Sequence, residues 1–173
     1  GLDKLAFTGS TETGKLIGHA AVDRLTRFAL ELGGKSPVII LEDTPVEMAA
    51  GGAASAVFFN QGQVCTAGSR LYVQKKLFDK VVSELSAIAS AMKLGPGLDP
   101  ASELGPLVSE VQRDRVCSYI DSGVGQGAKV ASGGGRAGEK GYFVKPTVLV
   151  DVRQDMRVVQ EEIFGPVLAI QTF

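Results

Sequence analysis

The sequence predicts an α/β fold in which a largely parallel open sheet is flanked by helices. Short apolar runs typical of buried strands alternate along the chain with segments whose apolar residues recur at helical spacing. Hydrophobic residues make up 45% of the 173 positions, enough for a sizeable core. Strands that alternate with helices in this way are usually connected into a parallel sheet.

The first half of the chain shows two strand and helix pairs. A strand is predicted over Lys4–Phe7. It is followed by a helix with apolar residues at helical spacing, namely Leu16, Ile17, Ala20 and Ala21. Val38–Leu41 is a continuous apolar run, as in a parallel strand buried on both faces. Thr44 and Pro45 then predict the start of a helix that runs through small residues toward Phe59.

The second half continues the same alternation. Leu71–Val73 is a predicted strand, and Phe78–Met92 has the clearest 3.6-residue spacing in the chain. A further helix is predicted from Val108 to Ile120. It is followed by extended segments at Ala128–Ala131 and Phe143–Val150.

The glycine-bracketed turn Gly9–Lys15 resembles a phosphate-binding loop. It reads GxxxxGK, but Leu16 stands where a nucleoside-triphosphate loop needs Ser or Thr to hold magnesium. A P-loop nucleotidase is therefore only an alternative interpretation. Ser10 or Thr11 can cap the following helix, whose free N–H groups attract anions such as a dinucleotide pyrophosphate. An ordinary capped helix start without a ligand is the other interpretation.

A second glycine-rich match is rejected by its context. Gly133–Gly138 fits GxGxxG, but the residues that follow, EKGYFVKP, cannot begin a helix. We therefore interpret it as a surface turn.

Composition and charge narrow the possible partners and location. The net charge of -1 favours neither a nucleic acid nor an anionic membrane surface, and no apolar run reaches the roughly 18 residues of a membrane span. Cys65 and Cys117 form neither a metal-type cluster nor a disulfide framework, which favours a reducing, cytoplasmic location. The chain lacks an initial methionine and ends in an apolar run, so we expect a fragment of a longer protein.

Cys65 is the candidate nucleophile. It lies in NQGQVCTAGSR, in a predicted loop where Gly62 and Gly68 allow backbone N–H groups to approach a reacting oxygen. The alternative is a small buried cysteine with a structural role.

A nucleophilic cysteine needs a partner for proton transfer. His19, the single histidine, is expected on the solvent side of its helix, so the base should be a carboxylate or a water. Glu31 is the candidate, because it precedes Gly33 and Gly34 at a predicted chain reversal, where a semi-buried carboxylate would have a raised pKa.

Four blocks together resemble the signature of a known family. FTGSTETGK, LELGGKSP, FFNQGQVCTAGSR and EEIFGPV, in this order, are similar to blocks of the NAD(P)-dependent aldehyde dehydrogenase superfamily. The resemblance implies an interior third of such a protein, with an aldehyde dehydrogenase catalytic-domain-like fold. Residues 1–32 would be the end of the cofactor-binding domain. Residues 33–173 would be the catalytic domain, truncated at its C-terminal end.

The resemblance also implies the site. Cys65 would be the nucleophile and Glu31 the general base, while Glu162 would hold the nicotinamide ribose and Phe164 would lie beside it. Without the resemblance, Glu161 and Glu162 would be interpreted as solvated surface charge. The implied cofactor is NAD or NADP, bound without a metal by Gly9, Ser10, Thr11, Glu12, Thr13, Gly14, Leu32, Glu162 and Phe164.

The implied reaction oxidises an aldehyde to a carboxylic acid through a thiohemiacetal and a thioester on Cys65. The expected partner is a small-molecule aldehyde, with no nucleic acid or membrane, and the parent protein is expected to be a homodimer or homotetramer. A catalytically silent structural fragment is the competing hypothesis.

Overall fold

The computed structural model describes all 173 residues, which form two compact units. The first unit is Gly1–Gly34 and the second is Lys35–Phe173. None of the helices combines the length and the apolar composition of a membrane-spanning segment.

The first unit is a β-α-β arrangement. Strand β1 (Lys4–Thr8) pairs in parallel with β2 (Arg27–Glu31), and α1 (Thr11–Val22) connects them. The helix buries Gly14 and Ala21, which are seven residues apart and therefore on one face. The predicted apolar stripe was wrong in part, because Leu16 is 70% exposed and Ala20 is exposed as well. The small residues, and not the large leucine, permit close helix packing here.

The second unit contains one five-stranded sheet with helices around it. In chain order its elements are β3 (Pro37–Ile40), α2 (Val46–Phe58), a 3-10 turn (Phe59–Gly62), β4 (Arg70–Val73), α3 (Phe78–Ala91), α4 (Glu110–Gly125), β5 (Lys129–Ser132), β6 (Thr147–Val150), α5 (Arg157–Gln160) and β7 (Val167–Thr172). The strand order is β3-β4-β7-β6-β5, and only the β5 and β6 pair is antiparallel. The predicted largely parallel α/β fold is confirmed.

Both faces of the sheet are buried. Because side chains alternate across a strand, Val148 and Leu168 pack into a cluster with α2 and α3. Leu149 and Val167 pack into a second cluster with α4 and α5. These central strands therefore show the continuous apolar runs of a sheet covered on both sides.

The run Val38–Leu41 departs from its prediction. Strand β3 lies at the edge of the sheet and ends at Ile40, while Ile39 is 62% exposed. Val38 and Ile40 face the cluster with α2 and α3, while Ile39 and Leu41 are exposed, so only one face of this strand is covered.

Candidate active site

The turn after β1 holds the start of α1 firmly. Ser10 caps the helix, since its Oγ accepts a hydrogen bond from the Thr13 N–H at 3.2 Å. The Gly14 N–H donates to the Ser10 carbonyl at 2.9 Å, and residues Gly9 to Thr13 are exposed. An exposed helix N-terminus of this kind provides unpaired N–H groups and the positive end of the helix dipole, which favour an anion.

Two glycines let the turn lie close to the end of β2. A Cβ on Gly14 would come within 2.5 Å of Leu32 Cδ2, so Leu32 packs over the helix at this point. The Gly9 N–H donates to the Glu31 carbonyl at 3.0 Å. The predicted turn residues and Glu31 and Leu32 are therefore neighbours within the first unit.

Glu31 is the last residue of β2, and its side chain is exposed. The expectation of a semi-buried carboxylate was wrong for this chain. Glu31 is exposed because it ends a strand of a two-stranded sheet in which most residues are open to solvent.

Lys15 gives no support to the P-loop interpretation. Its Nζ lies 3.2 Å from Glu12 on the exposed surface of α1, one helical turn back. It is thus paired along the helix and is not directed over the glycine turn.

Cys65 lies in the loop between the 3-10 turn and β4, and it is exposed. The loop is fixed at its far end, where the Gly68 N–H donates to the Ala56 carbonyl at 2.9 Å. A Cβ on Gly68 would come within 2.5 Å of Val38 Cγ2, so only glycine fits this approach without displacing the side chain. The thiol is accessible on a loop held by the helix before it and the strand beside it.

The near end of this loop is set by an unusual backbone. Asn60, Gln61 and Gly62 all have positive φ, at 48°, 57° and 68°. A left-handed conformation costs roughly 1–2 kcal/mol for an ordinary residue, so tertiary contacts must impose it. One such contact is visible, since the Gln63 side-chain oxygen accepts from the Val108 N–H at 3.0 Å.

Gly62 brings the Cys65 loop against the EEIFGPV block. A Cβ on Gly62 would lie 2.2 Å from the Gly165 carbonyl oxygen, so the two backbones touch directly. Gly165 in turn lies against α4, where a Cβ would come within 2.4 Å of Val116 Cγ2. Two blocks that are far apart in sequence thus meet in the second unit.

The backbone of the EEIFGPV block is held by helix α4. The Gln112 side-chain amide donates to the carbonyls of Ile163 and Phe164, at 3.1 and 2.8 Å. Arg115 donates to the Glu162 carbonyl at 3.0 Å. Phe164 has a φ of 58° and is partly exposed, so this turn also depends on its supports.

Lys35 was missed by the sequence reasoning. Its Nζ is buried without a hydrogen-bond partner. Burial, followed by the charge of Arg70, lowers the pKa of this amine to about 7, while Glu162 and Glu161 oppose the change. No local pattern indicates the burial, because the lysine follows two glycines and precedes a strand like many exposed lysines.

Comparison with known proteins settles the family. The sequence model of the aldehyde dehydrogenase family matches residues 1–173. This chain belongs to that family. A mitochondrial aldehyde dehydrogenase from Leishmania tarentolae is 50% identical over an alignment of 173 positions, which covers 99% of this chain and 35% of that protein.

Solved structures agree with this assignment. The aldehyde dehydrogenase of Bacillus cereus in its NAD+ complex matches with a TM-score of 0.98 and 52% identity, over 99% of this chain and 35% of that one. The betaine aldehyde dehydrogenase of Staphylococcus aureus in complex with NAD+ matches with a TM-score of 0.96 and 42% identity, again over 99% and 35%. The chain therefore spans about a third of the length of the family members it matches.

The predicted site residues fall into two groups. Gly9–Gly14, Glu31 and Leu32 lie together in the first unit. The Cys65 loop lies beside the segment with Glu162 and Phe164 in the second unit. Each group is locally ordered by glycine contacts that a larger residue would disrupt.

Proposed function

We propose that the complete protein containing this chain oxidises an aldehyde to a carboxylic acid with NAD+ or NADP+. The observation that carries the proposal is the exposed Cys65 loop, whose backbone contacts the segment of Glu162 and Phe164. The NAD+ complex of the Bacillus cereus relative supports the cofactor.

The residues present fit a dinucleotide. The exposed Ser10 to Thr13 turn offers helix N-terminal N–H groups to a pyrophosphate, and no acidic pair for a metal is needed. Glu162 would accept hydrogen bonds from the nicotinamide ribose hydroxyls, with Phe164 beside them. We assign residues 1–32 to the cofactor-binding domain and residues 33–173 to the catalytic domain.

The reaction begins when the Cys65 thiolate adds to the aldehyde carbon and forms a thiohemiacetal. The oxyanion is stabilised by the Cys65 backbone N–H together with a side-chain amide from elsewhere in the protein. The bound dinucleotide supplies the hydride acceptor. Loss of hydride leaves a thioester on Cys65, which is hydrolysed by a water that Glu31 deprotonates. A glutamate at this position favours a free acid over transfer to coenzyme A.

Two substitutions and one control test the assignment in the complete protein. Cys65→Ser should abolish aldehyde-dependent NADH formation, whereas Cys117→Ser, in helix α4, should retain it. Glu31→Gln should retain a single burst of NADH and lose steady turnover, because the thioester accumulates. Retained turnover in Cys65→Ser would refute the proposal.

The competing hypothesis is a catalytically silent structural piece. Hydrolysis of an activated ester needs the thiol but no cofactor, so it separates the two hypotheses. Ester hydrolysis that disappears in Cys65→Ala supports the enzyme. We expect the isolated 173-residue chain to bind NAD weakly, and calorimetry showing micromolar affinity would contradict this.

Location and assembly remain predictions. We propose a cytoplasmic protein, although one relative is named a mitochondrial enzyme. We propose a homodimer or homotetramer for the complete protein, which its mass in solution tests directly.

A further inference from the structure

The first glutamate of the EEIFGPV block is tied to the helices beneath it. The Tyr119 hydroxyl donates to Glu161 Oε2 at 2.7 Å, and Arg157 Nε lies 3.1 and 3.2 Å from the two carboxylate oxygens. The Arg157 guanidinium also lies over the Tyr119 ring, 4.2 Å from its centroid. Glu161 is thus an acceptor for two groups on two different elements, α4 and α5.

The tyrosine end of this contact is rigid. Tyr119 is 2% exposed and packs in the core beside Val116 and Ile120. A buried tyrosine hydroxyl needs a partner, and the Glu161 carboxylate is that partner. Burial and this hydrogen bond raise the pKa of Tyr119, while the same bond and Arg157 lower the pKa of Glu161. At neutral pH the phenol therefore donates and the carboxylate accepts.

Glu162 directly follows Glu161 in the EEIFGPV block. The backbone at Glu161 is extended, with φ -105° and ψ 148°. In extended backbone, successive side chains leave in opposite directions. With Glu161 fixed toward α4, the Glu162 side chain is set on the other side of the segment. Arg115 then holds the Glu162 carbonyl from the same helix.

We propose that Tyr119 and Glu161 are a positioning pair for the cofactor: by fixing the first glutamate, they orient the Glu162 carboxylate toward the nicotinamide ribose. The inference rests on the proposed function, which gives Glu162 its ribose-binding role. Neither Tyr119 nor Glu161 would touch the cofactor.

The test compares cofactor and aldehyde parameters in the complete protein. Tyr119→Phe keeps the ring over Arg157 and removes only the hydroxyl. We expect the KM for NAD+ and the NADH dissociation constant, from NADH fluorescence, to rise about three- to tenfold, as for one lost hydrogen bond. The kcat and the KM for aldehyde should change less than about twofold, since the Cys65 loop has its own supports.

Four further variants sharpen the result. Glu161→Ala removes the contacts with both Tyr119 and Arg157, so it should raise the NADH dissociation constant at least as much as Tyr119→Phe. The double variant should be no worse than Glu161→Ala alone, because the Tyr119 contact is already lost there. Glu161→Gln should recover most of the affinity, since an amide oxygen still accepts from Tyr119. Tyr72→Phe is the matched control, because its hydroxyl donates to Gln154 at the surface, at 3.2 Å, and should leave every parameter unchanged.

Several outcomes would overturn the positioning role. These are an unchanged NADH dissociation constant in Tyr119→Phe, a parallel loss in kcat and both KM values, or full additivity with Glu161→Ala. Cys65→Ser separates the two proposals. If that variant is inactive while Tyr119→Phe binds NADH normally, the positioning role alone is wrong. If Cys65→Ser stays active, the catalytic proposal is wrong, and NADH binding still decides the role of Tyr119.

Discussion

Replacing Lys35 with methionine tests how far the buried Lys35 amine lowers the free energy of unfolding of the second unit. The Nζ has no hydrogen-bond partner, and burial is the main cause that lowers its pKa from 10.5 to about 7. Arg70 adds to this effect, and the nearby carboxylates only partly offset it. Methionine keeps the length of the side chain and removes the charge.

The magnitude follows from the difference between the two pKa values of Lys35. A fall of about 3.5 corresponds to about 5 kcal/mol at about 1.4 kcal/mol per unit. Below pH 7 both folded and unfolded chains hold the proton, so the folded state bears the full cost. Between about pH 7 and 10.5 the unfolded chain binds more protons, so stability rises with pH. Lys35→Met should therefore raise the free energy of unfolding of the second unit by about 5 kcal/mol at pH 6. At pH 9 this gain should be about 3 kcal/mol smaller.

The assay is urea unfolding followed by tyrosine fluorescence at several pH values. The chain has no tryptophan, and its three tyrosines, Tyr72, Tyr119 and Tyr142, all lie in the Lys35–Phe173 unit. The signal therefore reports that unit alone. Lys80→Met, at an exposed position of α3, is the control and should show no such pH dependence. A Lys35→Met effect that is independent of pH, or destabilising at pH 6, would refute the reasoning.

Three more predictions concern the backbone. Ser10→Ala removes the cap of α1 and should lower the stability of the helix start by about 1 kcal/mol. Hydrogen exchange of the Thr13 amide should then be roughly fivefold faster, and an unchanged rate would contradict the prediction. Gly62→Ala would place a Cβ 2.2 Å from the Gly165 oxygen and should lower the free energy of unfolding by about 3 kcal/mol or more. Urea unfolding followed by tyrosine fluorescence measures this loss, and an unaltered midpoint would show that the two backbones can move apart. Leu25→Asn should stabilise by about 0.5–1 kcal/mol, because Leu25 has φ 54° and is 93% exposed. The urea midpoint of Leu25→Asn, followed by far-UV circular dichroism, measures this gain. A lower midpoint than that of the unaltered chain would contradict the idea that Leu25 is strained.

Periodicity predicted the helix that packs on the sheet through one apolar face. Phe78–Met92 was expected as a helix and forms α3 from Phe78 to Ala91, since its apolar face covers the sheet. Val38–Leu41 has similar apolar content, but it forms an edge strand with one face open to solvent. A linear pattern records hydrophobicity and does not record the position of a strand within its sheet.

The sequence blocks predicted which residues belong to the candidate site. They did not predict how those residues are arranged. Glu162 came from the resemblance alone, whereas Cys65 was already a candidate from its glycine-flanked loop. The left-handed turn at Asn60 and Gln61 has no sequence signature, because these residues adopt it only under tertiary contacts. The burial of Lys35 also depends on segments distant in sequence. Tyr119 did carry a partial signal, since a tyrosine among apolar helix positions requires a partner for its hydroxyl.

The direct contact between Gly62 and Gly165 has a mechanical consequence. Side chains at an interface can change rotamer and absorb a small displacement, but two touching backbones have no such freedom. The thiol-bearing loop therefore cannot move any nearer to the glutamate-bearing loop at this point, so the contact sets a minimum spacing between the two backbones. It acts as a stop for the backbone alone, and the side chains on each loop are oriented by other contacts.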